Sequence, residues 1–330
     1  MTRFALPLTF ALAFAIGCAG DRTPQADRLS IAVIPKGTTH EFWKSIHAGA
    51  LRAAEELGAQ GTTVELTWKG PLREDDREQQ VQVVEGFLSQ GVQGIVLAPL
   101  DSRALVRPVE EAGRAGIPVV IIDSGLETEE IVSFVATDNR MGGALAADRL
   151  GETLGGSGRV LMLRYQEGSA STQDRESGFL ERIQSSYPGI EVISSDQYAG
   201  PTRETAKRAS ENLLNRYGAE IDGIFTPNES STIGMLLALQ DIGRAGTLPH
   251  VGFDASTMLI GALRDGHLEG LVLQNPVRMG YLGVMTVVQH VQGQTVEKRV
   301  DTGVMMVTRE NMESPEAQEL LNPALETAGT

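Results

Sequence analysis

Twice along this chain a short apolar run rich in β-branched residues gives way to a helical pattern, and the alternation repeats. That rhythm limits the fold more than any other feature. Residues 29–34 (LSIAVI) form a continuous apolar run, the mark of a parallel strand buried on both faces. Phe42, Ile46, Ala50, Ala53 and Leu57 then recur at helical spacing, and Gly58 stops that helix. Strands follow at 64–68, 94–99 and 118–123, with helices at 77–90 and 102–115 between them. The rhythm restarts with strands at 159–163, 191–194, 223–226 and 250–254, separated by helices at 173–185, 203–214 and 233–242. Such alternation predicts parallel sheets with helices on both faces. A chain of 330 residues is too long for one ordinary core, so two α/β lobes are expected.

The lobes echo one another. Gly94-Ile95-Val96 leading to Pro99 matches Gly223-Ile224-Phe225 leading to Pro227, and the interval from Pro118 to Asp123 matches that from Pro249 to Asp254. Each Asp falls at the carboxyl end of a strand, where open α/β sheets bind ligands. An Asp there could equally cap the next helix. Taken as a pair, the two carboxylates predict a cleft lined from both lobes.

The N-terminus carries a separate signal. Arg3 is the only charge before Cys18, and the run from Phe4 to Ile16 is too short to cross a bilayer comfortably. Residues 1–17 therefore read as a secretory signal peptide. Ala15-Ile16-Gly17-Cys18 resembles a bacterial lipobox, although Leu is more usual at the first position. Cys18 is then the lipidation site, and residues 18–28, polar and containing Pro24, are the tether. Because Cys18 is the sole cysteine, neither a disulfide nor a cysteine-based metal or catalytic site is expected. Twenty-eight Lys and Arg against 43 Asp and Glu give a net charge of -15, which disfavours nucleic acid and anionic membrane surfaces as partners.

Several short motifs in order resemble the ribose-binding family of type 1 periplasmic sugar-binding proteins. They are Ile31-Ala-Val-Ile34 with His40-Glu-Phe-Trp43, Leu97-Ala-Pro99, Ile122-Asp123, and Ala136-Thr-Asp-Asn139 with Gly142-Gly143. Asp174-Arg-Glu-Ser-Gly-Phe179, Phe225-Thr-Pro-Asn228, Val251-Gly-Phe-Asp254 and Leu273-Gln-Asn-Pro276 complete the set. The resemblance implies two Rossmann-like lobes with parallel sheets joined by a three-crossing hinge. The crossings fall at 137–139, at 274–276 and near 300–303. The N-terminal lobe is then 29–137 plus 276–301, the C-terminal lobe 138–275 plus 302–314, and 315–330 a tail.

The resemblance also implies a function: the extracytoplasmic solute-binding component of an ABC importer, which closes its hinge on a sugar or related polyol. Its partners would be that ligand and the transporter permease. It would act as a monomer on the periplasmic or cell-surface face of a bacterial membrane, held only by its lipid anchor. The alternative with the same fold is a signalling receptor, chemosensory or for an autoinducer-2-like ligand, since Ile34-Pro35-Lys36 is similar to such binders.

Site residues carry over individually. Asp123 and Asp254 would accept from ligand hydroxyls, and Arg175 would donate to sugar oxygens while balancing the carboxylates. Asn228 and Gln274 can donate and accept at once. Phe42 and Trp43 would stack on the sugar faces, His40 stands where the family has a hydrogen-bonding Asn, and Lys36 ends the first strand facing the same cleft. Three departures set the chain apart from ribose binders: Ser124 replaces an Arg, Ala98 an Asn, and Ala199-Gly200-Pro201 a stretch with an aromatic. The ligand is therefore not expected to be ribose held in the familiar way.

Catalysis is not expected, nor a cofactor or metal. Paired carboxylates serve glycoside hydrolysis, but Asp123 and Asp254 sit on lobes that must move apart. His40-Glu41-Phe42-Trp43-Lys44 lacks the second His of a zinc protease motif, and Gly155-Gly-Ser-Gly158 precedes a strand, as a turn does. A repressor of this fold would need a DNA-binding headpiece before Leu29, and the acidic charge argues against one.

Overall fold

The computed structural model describes residue 2 and residues 28–322; the expected signal peptide, Cys18, nearly all of the tether and residues 323–330 lie outside the described residues. The first lobe opens with β1 (Arg28–Ile34), α1 (Glu41–Ala59), β2 (Thr63–Trp68) and α2 (Arg77–Gln90). It continues through β3 (Gly94–Leu97), α3 (Val106–Arg114), β4 (Val119–Ile122) and β5 (Ser133–Ala136). The second lobe contains α4 (Asn139–Thr153), β6 (Ser157–Met162), α5 (Ala170–Ser186), β7 (Gly189–Ser194), α6 (Arg203–Tyr217) and β8 (Gly223–Phe225). Then come α7 (Glu229–Asp241), β9 (His250–Phe253), α8 (Thr257–Arg264) and β10 (Gly270–Gln274). The chain returns to the first lobe for α9 (Pro276–Val291) and β11 (Arg299–Asp301). It ends in the second with β12 (Val304–Val307) and α10 (Pro315–Leu321).

The strand orders are β11-β5-β4-β3-β1-β2 and β12-β10-β9-β8-β6-β7, the same winding twice. All pairs are parallel except β10 with β12. Ile31, Ala32, Val33 and Ile34 are wholly buried, as a central strand covered by helices on both faces requires. Edge strand β2 instead alternates between half-buried and exposed positions.

Local signals set the helix ends. Asp76 caps α2 by accepting from Gln79 N at 2.9 Å, and Gly91 (φ 67°) closes it in the left-handed region. Two expected boundaries shift. Helix α3 starts at Val106 rather than 102, because Asp101 Oδ1 accepts from Arg103 N and Ala104 N and holds a preceding turn. Helix α7 starts at Glu229 rather than 233, because Asn228 and Ser231 form a reciprocal capping box. Residues 315–330, expected as a tail, begin with α10, whose Ala317 and Leu321 join the core of the second lobe.

The echo between lobes extends to their tightest packing. In the first lobe α1 meets α9 so closely that a Cβ on Gly49 would lie 1.9 Å from the Val277 carbonyl oxygen, and one on Gly280 2.0 Å from that of Ile46. In the second lobe α4 meets α5 identically: a Cβ on Gly143 would lie 1.9 Å from the Arg175 oxygen, and one on Gly178 2.1 Å from that of Arg140. In each case the glycine faces the carbonyl three residues before its partner glycine. Helices α4 and α9 are also the ones that follow a change of lobe, so these contacts seat each crossing.

Asp138 and Asn275 cap α4 and α9 directly at two crossings, accepting from Met141 N at 3.0 Å and Arg278 N at 2.9 Å. At the third, Thr302 N donates to the Ala136 carbonyl at 3.1 Å, and Thr137 Oγ1 donates to that of Gly303 at 3.2 Å. The three connections therefore lie side by side. Replacing Gly280 by Val should push α9 off α1 and destabilise the protein by roughly 1–3 kcal/mol, the usual penalty for overpacking. A urea titration with an unchanged midpoint would show that the close approach is dispensable.

Candidate ligand-binding cleft

Asp123 and Asp254 follow β4 and β9, which occupy the same place in the two sheet orders. Among the described residues they are the non-glycine positions with positive φ, 62° and 69°. This conformation is disfavoured for L-residues but tolerated by Asp. Neither is the N-cap residue of the helix that follows it, those being Asp138 for α4 and Ser256 for α8, although Asp254 accepts from Glu229 N at the start of α7.

Each carboxylate has a cationic neighbour. Asp123 Oδ2 lies 2.6 Å from Lys36 Nζ in a buried ion pair. Lys36 Nζ also donates to Ser171 Oγ across the lobes at 3.0 Å. Asp254 accepts from Gln274 Nε2 at 2.7 Å and from Glu229 N at 3.0 Å, with Arg175 Nη1 at 4.0 Å. Arg175 lies over the Phe253 ring at 4.0 Å, donates through Nε to Asn139 Oδ1 at 2.8 Å, and through Nη1 to the Pro227 carbonyl at 2.9 Å. Its Nη2 takes part in none of these bonds. Burial pushes the Asp254 carboxyl up, while Arg175 and Gln274 hold it down.

A second hub is Glu74, in the loop after β2. Its Oε1 meets His40 Nδ1 at 2.6 Å and accepts from Trp43 Nε1 at 2.7 Å, while Oε2 accepts from Tyr165 OH of the other lobe at 2.8 Å. Burial works against both charges, yet the pair prevails: His40 is raised to about 9 and Glu74 lowered to about 2. Trp43 is thus fixed edge-on to Phe42, with ring centroids 5.0 Å apart at 85°. Phe42 N donates to Glu229 Oε2 at 3.3 Å, and Arg203 neutralises Glu229 through Oε1 at 2.6 Å.

All nine residues proposed from sequence, Lys36, His40, Phe42, Trp43, Asp123, Arg175, Asn228, Asp254 and Gln274, converge on one narrow cavity. Their roles are not equally open. Asn228 was expected to offer both halves of its amide, but its oxygen accepts from Ser231 N and Ser231 Oγ in the cap of α7. Its Nδ2 donates to Ser230 Oγ at 3.2 Å, so only the second hydrogen of that nitrogen is spare. Gln274 is the opposite case. With Nε2 on the Asp254 carboxylate, Oε1 is buried without a partner.

Sequence reasoning missed Glu74, Tyr165, Ser171, Thr172 and Glu229, which line the same space. Glu229 had a usable signal, directly after the proposed Asn228 at a strand end. Glu74 had none, because Arg73-Glu74-Asp75-Asp76 reads as a solvated charge run.

A family profile described as "Periplasmic binding protein domain" matches residues 31–295, and the chain belongs to that family. A solved carbohydrate transporter solute binding protein from Agrobacterium radiobacter, in complex with D-arabinose, is 32% identical. It superposes with a TM-score of 0.85 over 90% of this chain and 100% of that one. A D-ribose/D-allose-binding protein of Pseudomonas aeruginosa is 29% identical, covering 87% of this chain and 90% of its own. A xylitol-binding protein of Mycolicibacterium smegmatis is 27% identical, covering 89% and 81%.

His40 and the core residue His250 predict a stability window. His40 is raised from 6.5 to about 9, so its contribution is complete below pH 6.5 and lost as pH rises through about 9. Burial lowers His250 from 6.5 to about 3, so its penalty grows as pH falls from 6.5 through about 3. The melting temperature should therefore fall on both sides of neutrality, and His40→Asn should flatten the alkaline side while also altering the acid side, because His40 is what holds Glu74 low. An alkaline slope unchanged in that variant would remove His40 as its source.

Proposed function

We propose that this protein is the extracytoplasmic solute-binding component of an ABC importer and closes on a neutral sugar or polyol. The observation that carries the reading is the pair Asp123 and Asp254, held at equivalent strand ends and meeting across one buried cavity. Around them Gln274 Oε1 is buried without a partner among the described residues. A buried acceptor left unmade costs about 1–3 kcal/mol, which a ligand hydroxyl would relieve. The cleft also sets four carboxylates, Glu74, Asp123, Glu229 and Asp254, against four cations, Lys36, His40, Arg175 and Arg203. That balance favours an uncharged ligand, since a net charge would enter the closed site unpaired.

The relatives' printed ligands, D-arabinose, D-ribose, D-allose and xylitol, support the same class. The description of the Agrobacterium relative as a carbohydrate transporter solute binding protein favours import over sensing. Family members bind solutes rather than convert them, and here the carboxylates are committed to fixed partners. Export by residues 1–17, lipidation at Cys18, action as a monomer and docking to a permease belong to this proposal. Among the described residues no helix is long and apolar enough to cross a membrane.

Thermal shift against pentoses, hexoses and polyols tests the reading. A ligand at 100 times its Kd should stabilise by about 2.7 kcal/mol. Asp254→Asn should keep the fold but weaken binding by about 1.5–3 kcal/mol, the worth of a hydrogen bond to a charged group. A silent panel, or a variant that binds like the parent, would count against the sugar or against this cleft.

A further inference from the structure

The inner cavity is sealed unevenly. On one flank the loop after β6 lies directly on the first lobe. Gln166 Nε2 donates to the Glu74 carbonyl at 2.7 Å, Ser102 N to the Gly168 carbonyl at 2.9 Å, and Ser171 N to Ser124 Oγ at 3.0 Å. The flank formed by the start of α1, the start of α8 and the β10–α9 crossing is different. There Glu41 Oε2 accepts from Thr257 N at 3.0 Å, beside a hollow of about 520 Å³ that opens to solvent. The two spaces share a wall, because Phe42, Asp254 and Gln274 line both. The unpartnered Gln274 Oε1, on a side chain only 4% exposed, belongs to that wall.

The hollow is mixed in character. Ile260, Leu273 and Leu320 supply apolar surface, and Lys44, Ser45 and Thr257 supply polar groups. That lining suits a ring with an apolar face and a polar rim. Both lobes contribute to it, so the hollow takes its shape only when the cleft is shut.

We infer that this hollow is a second subsite, which holds the substituent ring of a glycoside whose sugar occupies the inner cavity. The inference rests on the sugar-binding reading above. The physiological ligand is then a two-ring compound, a disaccharide or an aryl glycoside, rather than a free monosaccharide. A one-ring ligand fills the inner cavity and leaves the apolar surface of the hollow in water. A second ring buries that surface at little extra cost, because its position is already set by the first.

Calorimetric titration of the full chain tests this. The probes are each free sugar that binds, disaccharides carrying that sugar, and its p-nitrophenyl glycosides. At least one two-ring probe should bind about tenfold more tightly than its parent sugar, or better, a step of about 1.4 kcal/mol. Ile260→Trp and Lys44→Trp fill the hollow from positions outside the inner cavity, the second from an exposed site that tolerates substitution. Both should abolish the advantage of the second ring while leaving the free-sugar Kd within about twofold. The inference is overturned if every two-ring probe binds more weakly than its parent, or if the advantage survives both tryptophans. Silence from sugars and glycosides alike is a different result and removes the sugar-binding reading itself.

Discussion

A carboxylate taken out of water costs several kcal/mol unless a cation and hydrogen bonds replace its hydration, and a domain's whole stability is only about 5–15 kcal/mol. Four carboxylates meet in the cleft of this protein, so their partners must be in place whenever it is shut. That constraint orders the rest of the site. Lys36 stands at Asp123, Arg175 near Asp254, His40 at Glu74 and Arg203 at Glu229. The pairings also cross the cleft through neutral groups: Tyr165 reaches Glu74, Ser171 reaches Lys36, and the backbone of Phe42 reaches Glu229. Each ion pair lies within one lobe, so closure buries charges that are already paired and adds these cross-lobe hydrogen bonds to them.

The fold supplies the accuracy this requires. Arg175 lies on α5, and its own carbonyl is the atom that Gly143 of α4 approaches. A side chain larger than hydrogen at Gly143 would move Arg175 together with the helix. Asn139, the first residue of α4, accepts from Arg175 Nε and donates to the Asp123 carbonyl at 3.4 Å. One crossing thus ties the two acidic strand ends together through a single arginine. The left-handed backbone at Asp123 and Asp254 belongs to the same design, with strain of order 1–3 kcal/mol held by the surrounding structure at a functional position.

What was legible in the sequence follows from which residues carry their own signal. Strand β1 announces itself because burial on both faces demands an unbroken apolar run. Strand β11 does not: Arg-Val-Asp has no apolar pattern, and pairing with β5 alone makes it a strand. Asp123 and Asp254 could be read as a matched pair because their spacing from Pro118 and Pro249 repeats. Glu74 was invisible, since its burial depends on His40, Trp43 and Tyr165 arriving from distant parts of the chain. The commitment of Asn228 to a helix cap was equally hidden, because the same amide in sequence suits a cap or a hydroxyl.

The closed arrangement also bears on how a ligand acts. Direct bonds between the lobes, including Tyr165 to Glu74, Ser171 to Lys36 and to Ser124, and Thr257 to Glu41, exchange for bonds to water when the cleft opens. Each is worth only about 0.5–1.5 kcal/mol net, and ordering the two lobes opposes them. The equilibrium between open and closed forms is then one that a ligand can shift. A ligand that touches groups of both lobes only when they converge has the differential affinity needed to shift that balance. Gln274 Oε1, buried without a partner, is then the acceptor in the cleft that such a ligand would complete.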